Sequence, residues 1–256
     1  MKSPIPIADC HGHIGVHPDF PAYKTEPEEM VRVMDSLNIE FVAISSMLAI
    51  SNDGPHGNAD VEQVLRRYPK RFLGYIVVNG NTPEEALEQL QRWSHFHNPP
   101  LIKLHPDVNK YPVNGPNFRG VWDYANQTRA IVLVHTWVSD PNCGPLLLAP
   151  IAREFPGARI LLGHSGVSWR GYEQAIEVAQ SAPNTFLDIA GSQSHRTILE
   201  HCVAKLGAER LLFGSDLPYL EAAMAVGRVL TARLSDQQKE MILRTNFLRI
   251  LGDSGL

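Results

Sequence analysis

The sequence predicts an α/β fold: a closed (β/α)8 TIM barrel with an additional C-terminal helix. Three observations carry that expectation. Eight short apolar runs alternate with longer amphipathic segments along the 256 residues. Several of those runs end in His or Asp. And the first run is followed by two histidines rather than by the phosphate-binding glycine fingerprint that an open doubly wound sheet usually brings.

The runs that read as strands are Ile5–Cys10, Phe41–Ser45, Phe72–Val78, Leu101–Leu104, Ile131–His135, Ile160–Gly163, Phe186–Ile189 and Leu211–Gly214. The segments between them place apolar residues three and four apart, the helical period. Glu28–Leu37 puts Met30, Val33, Met34 and Leu37 on one face behind Pro27, and Ala59–Tyr68 does so with Val61, Val64, Leu65 and Tyr68. Thr82-Pro83-Glu84-Glu85 is an N-cap, a first-turn proline and two acids that suit the helix dipole. Val121–Asn126, Leu146–Phe155, Tyr172–Gln180, Ile198–Leu206 and Ala222–Leu230 complete the alternation. Ser235–Leu251, with Met241, Ile242, Leu248 and Leu251, reads as the added terminal helix. Two proline-rich stretches, Gly15 to Pro27 and Pro106 to Asn117, read as loops over the mouth of a site.

No linker or shift of composition divides the chain, so residues 1–256 are expected to form one domain. Of its residues, 44% are hydrophobic and 20% charged, the balance of a globular protein. The net charge of -4 and 23 Lys plus Arg give no basic stripe, which argues against nucleic acid as a partner. No run reaches the roughly 18 apolar residues needed to cross a membrane, and no signal peptide precedes Ile5. Cys10, Cys143 and Cys202 are odd in number and widely spaced, the usage of reduced thiols. A cytoplasmic protein is expected.

Chemistry concentrates in Asp9-Cys10-His11-Gly12-His13. Alternate residues of an extended strand share a face, so His11 and His13 can grip one ion. Parity also joins Ile131, Leu133 and His135; Ile160, Leu162 and His164; and Leu212, Gly214 and Asp216. In a barrel these strand ends converge at the C-terminal mouth. His11, His13, His135 and Asp216 are therefore the expected ligands of one divalent metal of the zinc type, with manganese, iron or cobalt also compatible and a second ion less expected. The metal turns a bound water into a nucleophile near neutral pH; Asp216 takes its proton and His164 steadies the developing charge.

Lys103 and His105 end the fourth strand. Lys103 either anchors a substrate carboxylate, pairs with an acid, or, as a carbamate, bridges two metals, while His105 lines the pocket. Asp9 either orients a ligand histidine from below or pairs with Lys103. Arg170 and Tyr219 are further candidates for binding substrate, Arg170 and Arg196 by contacting an acidic group. His17, His56, His95, His97, His195 and His201 read as surface residues, although His17 lies in the first loop. Neither a Gly-x-Ser-x-Gly elbow nor a phosphate loop is present.

The same motifs, together with Ile102-Lys103-Leu104-His105-Pro106, Gly163-His164-Ser165-Gly166 and Phe213-Gly214-Ser215-Asp216-Leu217-Pro218, resemble the amidohydrolase superfamily. The closer likeness is to its second amidohydrolase branch, the aminocarboxymuconate-semialdehyde decarboxylase-like metal-dependent hydrolases, and it covers nearly the whole chain. The resemblance implies a distorted barrel, one catalytic divalent metal on the four ligands above, a working histidine after the sixth strand, and a homodimer. It leaves the reaction open. The chain is short for a decarboxylase of that branch, which favours a hydrolase attacking a small acidic amide, ester or lactone. A non-oxidative decarboxylase of an aromatic or muconate-like acid is the first alternative, and a non-catalytic metal-binding barrel the second.

Overall fold

Eight parallel strands, paired in chain order, form a nearly closed barrel in the computed structural model, which describes residues 2–17, 24–93 and 101–253. The strands are β1 (Ile7–Ile14), β2 (Ile39–Ser46), β3 (Phe72–Val77), β4 (Leu101–Leu104), β5 (Ile131–His135), β6 (Arg159–Gly163), β7 (Thr185–Asp188) and β8 (Leu211–Leu212). Around them lie α1 (Pro27–Leu37), α2 (Met47–Ile50), α3 (Gly54–Arg67), α4 (Pro83–Trp93), α5 (Pro106–Asn109), α6 (Arg119–Thr128), α7 (Leu148–Glu154), α8 (Trp169–Ser181), α9 (Arg196–Leu206), α10 (Ala222–Thr231), α11 (Asp236–Glu240) and α12 (Asn246–Asp253). Among the described residues, no helix is long and apolar enough to cross a membrane.

The expected alternation is present, with local departures. β1 runs on to Ile14 because its end pairs with β2, so both histidines lie within the strand rather than after it. β8 keeps only two paired residues. Loop backbone closes the seam beyond it: Cys10 N–H donates to the Phe213 carbonyl (2.9 Å), Asp216 N–H to His11 (2.8 Å), and His13 N–H to Leu217 (2.6 Å). Helix α3 starts at Gly54 rather than Ala59, behind an Asp53 side chain that accepts from His56 N–H. The stretch 106–117 is not simply loop, since α5 and a 3-10 turn at Pro116–Phe118 fall inside it. Leu146–Phe155 begins with a 3-10 turn, Pro145–Leu147, before α7. The terminal helix is broken into α11 and α12 by a π turn at Met241–Thr245. His95, His97 and residues 18–23 of the first loop lie outside the described residues.

Two apolar layers hold the barrel. Outward-facing strand residues such as Val42, Ile44, Ile102, Val132, Ile160 and Leu162 pack under the helix faces of Met30, Met34, Leu90, Trp122, Ile176 and Val229. Inward-facing residues, among them Ala8, Ala43, Tyr75, Leu101, Leu133, Leu161 and Leu212, fill the interior. Phe247, Ile250 and Leu251 of α12 belong to that interior column and close its N-terminal end. Phe247 is fully buried beside Phe41, with ring centroids 6.0 Å apart. Phe247→Ala should therefore cost about 3–5 kcal/mol, the usual penalty for emptying a buried aromatic site. Urea unfolding followed by circular dichroism checks this.

Candidate metal centre

Above the apolar column, four strands lift a polar side chain into the C-terminal mouth by alternation. Ser45 follows Ala43, Lys103 follows Leu101, His135 follows Leu133 and Asp188 follows Phe186, all by strand alternation. In β1 the alternation breaks. The pairing with β2 shifts between Asp9 and Gly12, a bulge that sends Cys10 and His11 successively inward. Asp9 is thereby turned into the seam, where Oδ1 accepts from His11 N–H (3.0 Å) and Ser215 N–H (3.1 Å). Neither expected partner of its carboxylate, an imidazole ring or Lys103, is what it binds. Burial pushes Asp9 up to about 8.

The shared face proposed for Ile160, Leu162 and His164 does not hold, because Leu161 is the inward residue of β6. His164 reaches the mouth by another route: the strand ends at Gly163, and His164 adopts φ 58°, in the left-handed region. Ser165 (φ 49°), Val167 (φ 74°) and Asp216 (φ 66°) do likewise, a concentration of backbone strain around one point.

At that point His11, His13 and Asp216 bring one donor atom each within 4.8 Å of one another, and His11, His164 and Asp188 do the same. Asp216 Oδ1 lies 3.1 Å from His13 Nε2 and 3.7 Å from His11 Nε2. Behind the imidazoles, His11 Nδ1 meets Asp188 Oδ2 at 2.6 Å, and His13 Nδ1 meets Ser45 Oγ at 2.9 Å. Both rings thus direct Nε2 towards the acid. Lys103 Nζ stands 3.0 Å from His11 Nε2. It donates to that lone pair and places a positive centre where a cation fits.

Electrostatics favour the ligating forms. Burial, reinforced by the Lys103 charge, lowers His11 to about 3. Burial lowers His13, and takes His105 and His135 well below the ordinary imidazole value. Lys103 falls to about 8, again through burial. For Asp216, burial acts upward, but the imidazoles of His164, His13 and His11 outweigh it and hold the carboxyl well below the carboxylate range. Asp188 follows the same balance, with His11 chief among the groups that lower it. The donor set of neutral imidazole nitrogens and an ionised carboxylate suits a divalent cation.

His135 stays outside the tight group and stands beside it, its ring 4.9 Å from His164 and stacked on His105 at 4.0 Å. The cluster floors a cavity of about 480 Å3, lined by His13, His105, His135, His164, Asp216 and Tyr219 with Trp137 at the rim. Tyr219 donates its hydroxyl to the Gly15 carbonyl at 2.9 Å. Lys103 is wholly buried beneath the cavity, where it touches His11. Arg170 is not brought to the site: it sits in the first turn of α8 and lines a separate surface groove with Glu173, Glu177 and Lys205. Arg196 opens α9 on an exposed face. His17 does line the mouth, whereas His56, His195 and His201 keep to the outside. Asp188 is the residue that sequence reasoning passed over. Its signal was available, an acid two positions beyond an inward Phe186 at a strand end.

Comparisons with known proteins agree with this architecture. An uncharacterised TIM-barrel protein of Bordetella bronchiseptica superposes with a TM-score of 0.82 at 19% identity, covering 98% of this chain and 99% of that one. The 5-carboxyvanillate decarboxylase of Sphingomonas paucimobilis gives 0.78 at 17% identity, over 97% and 99%. A dihydroxybenzoic acid decarboxylase of a Polaromonas species, solved with manganese and the inhibitor 2-nitroresorcinol, gives 0.76 at 16%, over 98% and 97%. In sequence, an uncharacterised Sinorhizobium fredii protein, y4mH, is 30% identical over 83 residues, so the match spans 28% of that protein's length. A family model described as amidohydrolase, that of the second branch, matches residues 8–252, and the chain belongs to that family.

Proposed function

We propose that this protein is a metal-dependent, non-oxidative decarboxylase of a small planar carboxylic acid, aromatic or conjugated. The observation that carries the reading is the column of stacked rings beside the His and Asp cluster. The His105, His135 and Trp137 rings lie nearly parallel, with interplanar angles of 14° and 8° at centroid separations of 4.0 and 6.1 Å. A planar acid extends that stack, with its carboxylate towards the imidazoles. Two structural neighbours with decarboxylase names lend support. The chain's shortness, which favoured a hydrolase, loses its weight, since both align with it from end to end.

His11, His13 and Asp216 would hold one divalent ion, and His135, beside them, would join as the fourth ligand on a small approach of its ring. Zinc and manganese both suit these donors, and manganese is the ion in the Polaromonas protein. When bound, the ion supplies Lewis-acid stabilisation of negative charge on the substrate. The remaining work falls to side chains. His164, fixed by its left-handed turn, hydrogen-bonds the acid and orients the bond to be broken. Asp216, ionised at rest with Oδ1 against the histidines, takes the proton of the incoming acid on its other oxygen. As carbon dioxide leaves, the electron pair of the broken C–C bond stays on the ring carbon and takes that proton. Tyr219 and Trp137 narrow the mouth and exclude water from this transfer.

The test is a panel of hydroxylated, aminated and conjugated acids, with carbon dioxide release and oxygen uptake followed together. Carbon dioxide without oxygen consumption, lost on chelation, is the expected result. Turnover of amides, esters or lactones with no carbon dioxide from any acid would restore the hydrolase reading.

A further inference from the structure

We infer that Asp188 is a positioning residue that fixes which nitrogen of His11 is free to bind a cation and holds the His164 turn in place through the same carboxylate. This rests on the reading of His11 as a metal ligand. Asp188 is completely buried at the end of β7. Its Oδ2 accepts from His11 Nδ1–H at 2.6 Å and from the backbone N–H of His164 at 3.2 Å. Its Oδ1 accepts from the backbone N–H of Ala190 at 2.8 Å. Every group around this carboxylate is therefore a donor.

That one-sidedness has two consequences. With its proton directed at Asp188, the His11 ring keeps the Nε2 lone pair for a partner, and Lys103 Nζ occupies that side at 3.0 Å. And an amide cannot replace the acid. Asparagine has one acceptor oxygen and one donor nitrogen, so whichever way it is turned its NH2 group faces a backbone N–H, of His164 or of Ala190, that cannot be withdrawn. The carboxylate is closely packed on the Gly214 side as well: a Cβ there would run into Asp188 Oδ1 and would come within 2.9 Å of the His11 Cβ. One acid thus ties the metal-binding ring of β1 to the strained loop that presents His164.

The experiment titrates wild-type and Asp188→Asn protein, each stripped of metal, with Mn2+ alone, reading free Mn2+ by electron paramagnetic resonance. The variant should bind about 10–100-fold more weakly, the usual cost of losing such an outer partner. Circular dichroism confirms that both are folded. Proton NMR of the metal-free wild type supplies a second readout that does not depend on the variant folding. It should show a far-downfield imidazole N–H resonance, absent from a His11→Gln control, as expected for the short Nδ1–H contact to the acid. Equal Mn2+ affinity in folded Asp188→Asn protein overturns the inference, and so does a wild-type spectrum lacking that resonance. Failure of the wild type itself to bind Mn2+ or Zn2+ counts instead against the metal-dependent function, and the resonance then decides the role of Asp188.

Discussion

Asp216→Ala is expected to lower turnover by at least about 10³-fold, since the substitution removes a proton carrier worth roughly 10²–10⁴ on its own. The same change strips an oxygen from the donor group that Asp216 forms with His11 and His13, so metal retention should fall as well. Asp216→Asn separates the two effects. Asparagine tolerates the left-handed backbone found here (φ 66°) and still offers an oxygen, whereas alanine pays a conformational penalty at that φ of roughly 1–2 kcal/mol. The asparagine variant should therefore retain more metal than the alanine variant while turning over no faster. Elemental analysis and carbon dioxide release on the best acid of the panel check both. Wild-type turnover in either variant would remove Asp216 from the mechanism.

Exhaustive chelation is expected to abolish turnover while leaving the chain folded. The barrel interior is held by apolar residues and by α12, none of which depends on an ion. The buried Lys103 ammonium also remains to offset the charges of Asp188 and Asp216 once a cation is withdrawn. Readdition of Mn2+ or Zn2+ should restore activity, and the ion that restores most identifies the preferred metal. Bound metal should also stabilise the fold through mass action, by about 2.7 kcal/mol at a hundredfold excess over Kd. Thermal unfolding with and without metal measures that difference. Undiminished carbon dioxide release from protein shown to be metal-free would end the case for a metal-dependent reaction.

The barrel was legible because its strands announce themselves twice, as apolar runs and as runs ending in polar groups, and because helix periods are strong between them. Boundaries failed where tertiary pairing decides. β1 extends through its histidines only because β2 is there to pair with it, and β8 shrinks because loop backbone takes over the seam. The position of the site was legible from parity on β5, where the chain is regular. Parity misled at His164, and the partners expected for Asp9 failed, since a left-handed turn and a bulge each rotate side chains away from strict alternation. Asp188 was missed for a different reason. Its role is to support another side chain, and such a role is visible only when a residue on β7 and one on β1 are seen in contact.

The seam and the basal plug have a joint consequence for how the protein comes into being. The strand bearing His11 and His13 is made well before the backbone of Phe213, Asp216 and Leu217, which among the described residues satisfies its outer edge. The floor beneath it arrives later still, with Phe247 to Leu251. Until then a nascent chain carries both imidazoles on an unsatisfied β edge, open to stray ions and to neighbouring edges alike. Maturation of the centre therefore waits for the seam residues and α12 to be made, and overexpressed protein should capture whichever metal is abundant at the moment the barrel closes.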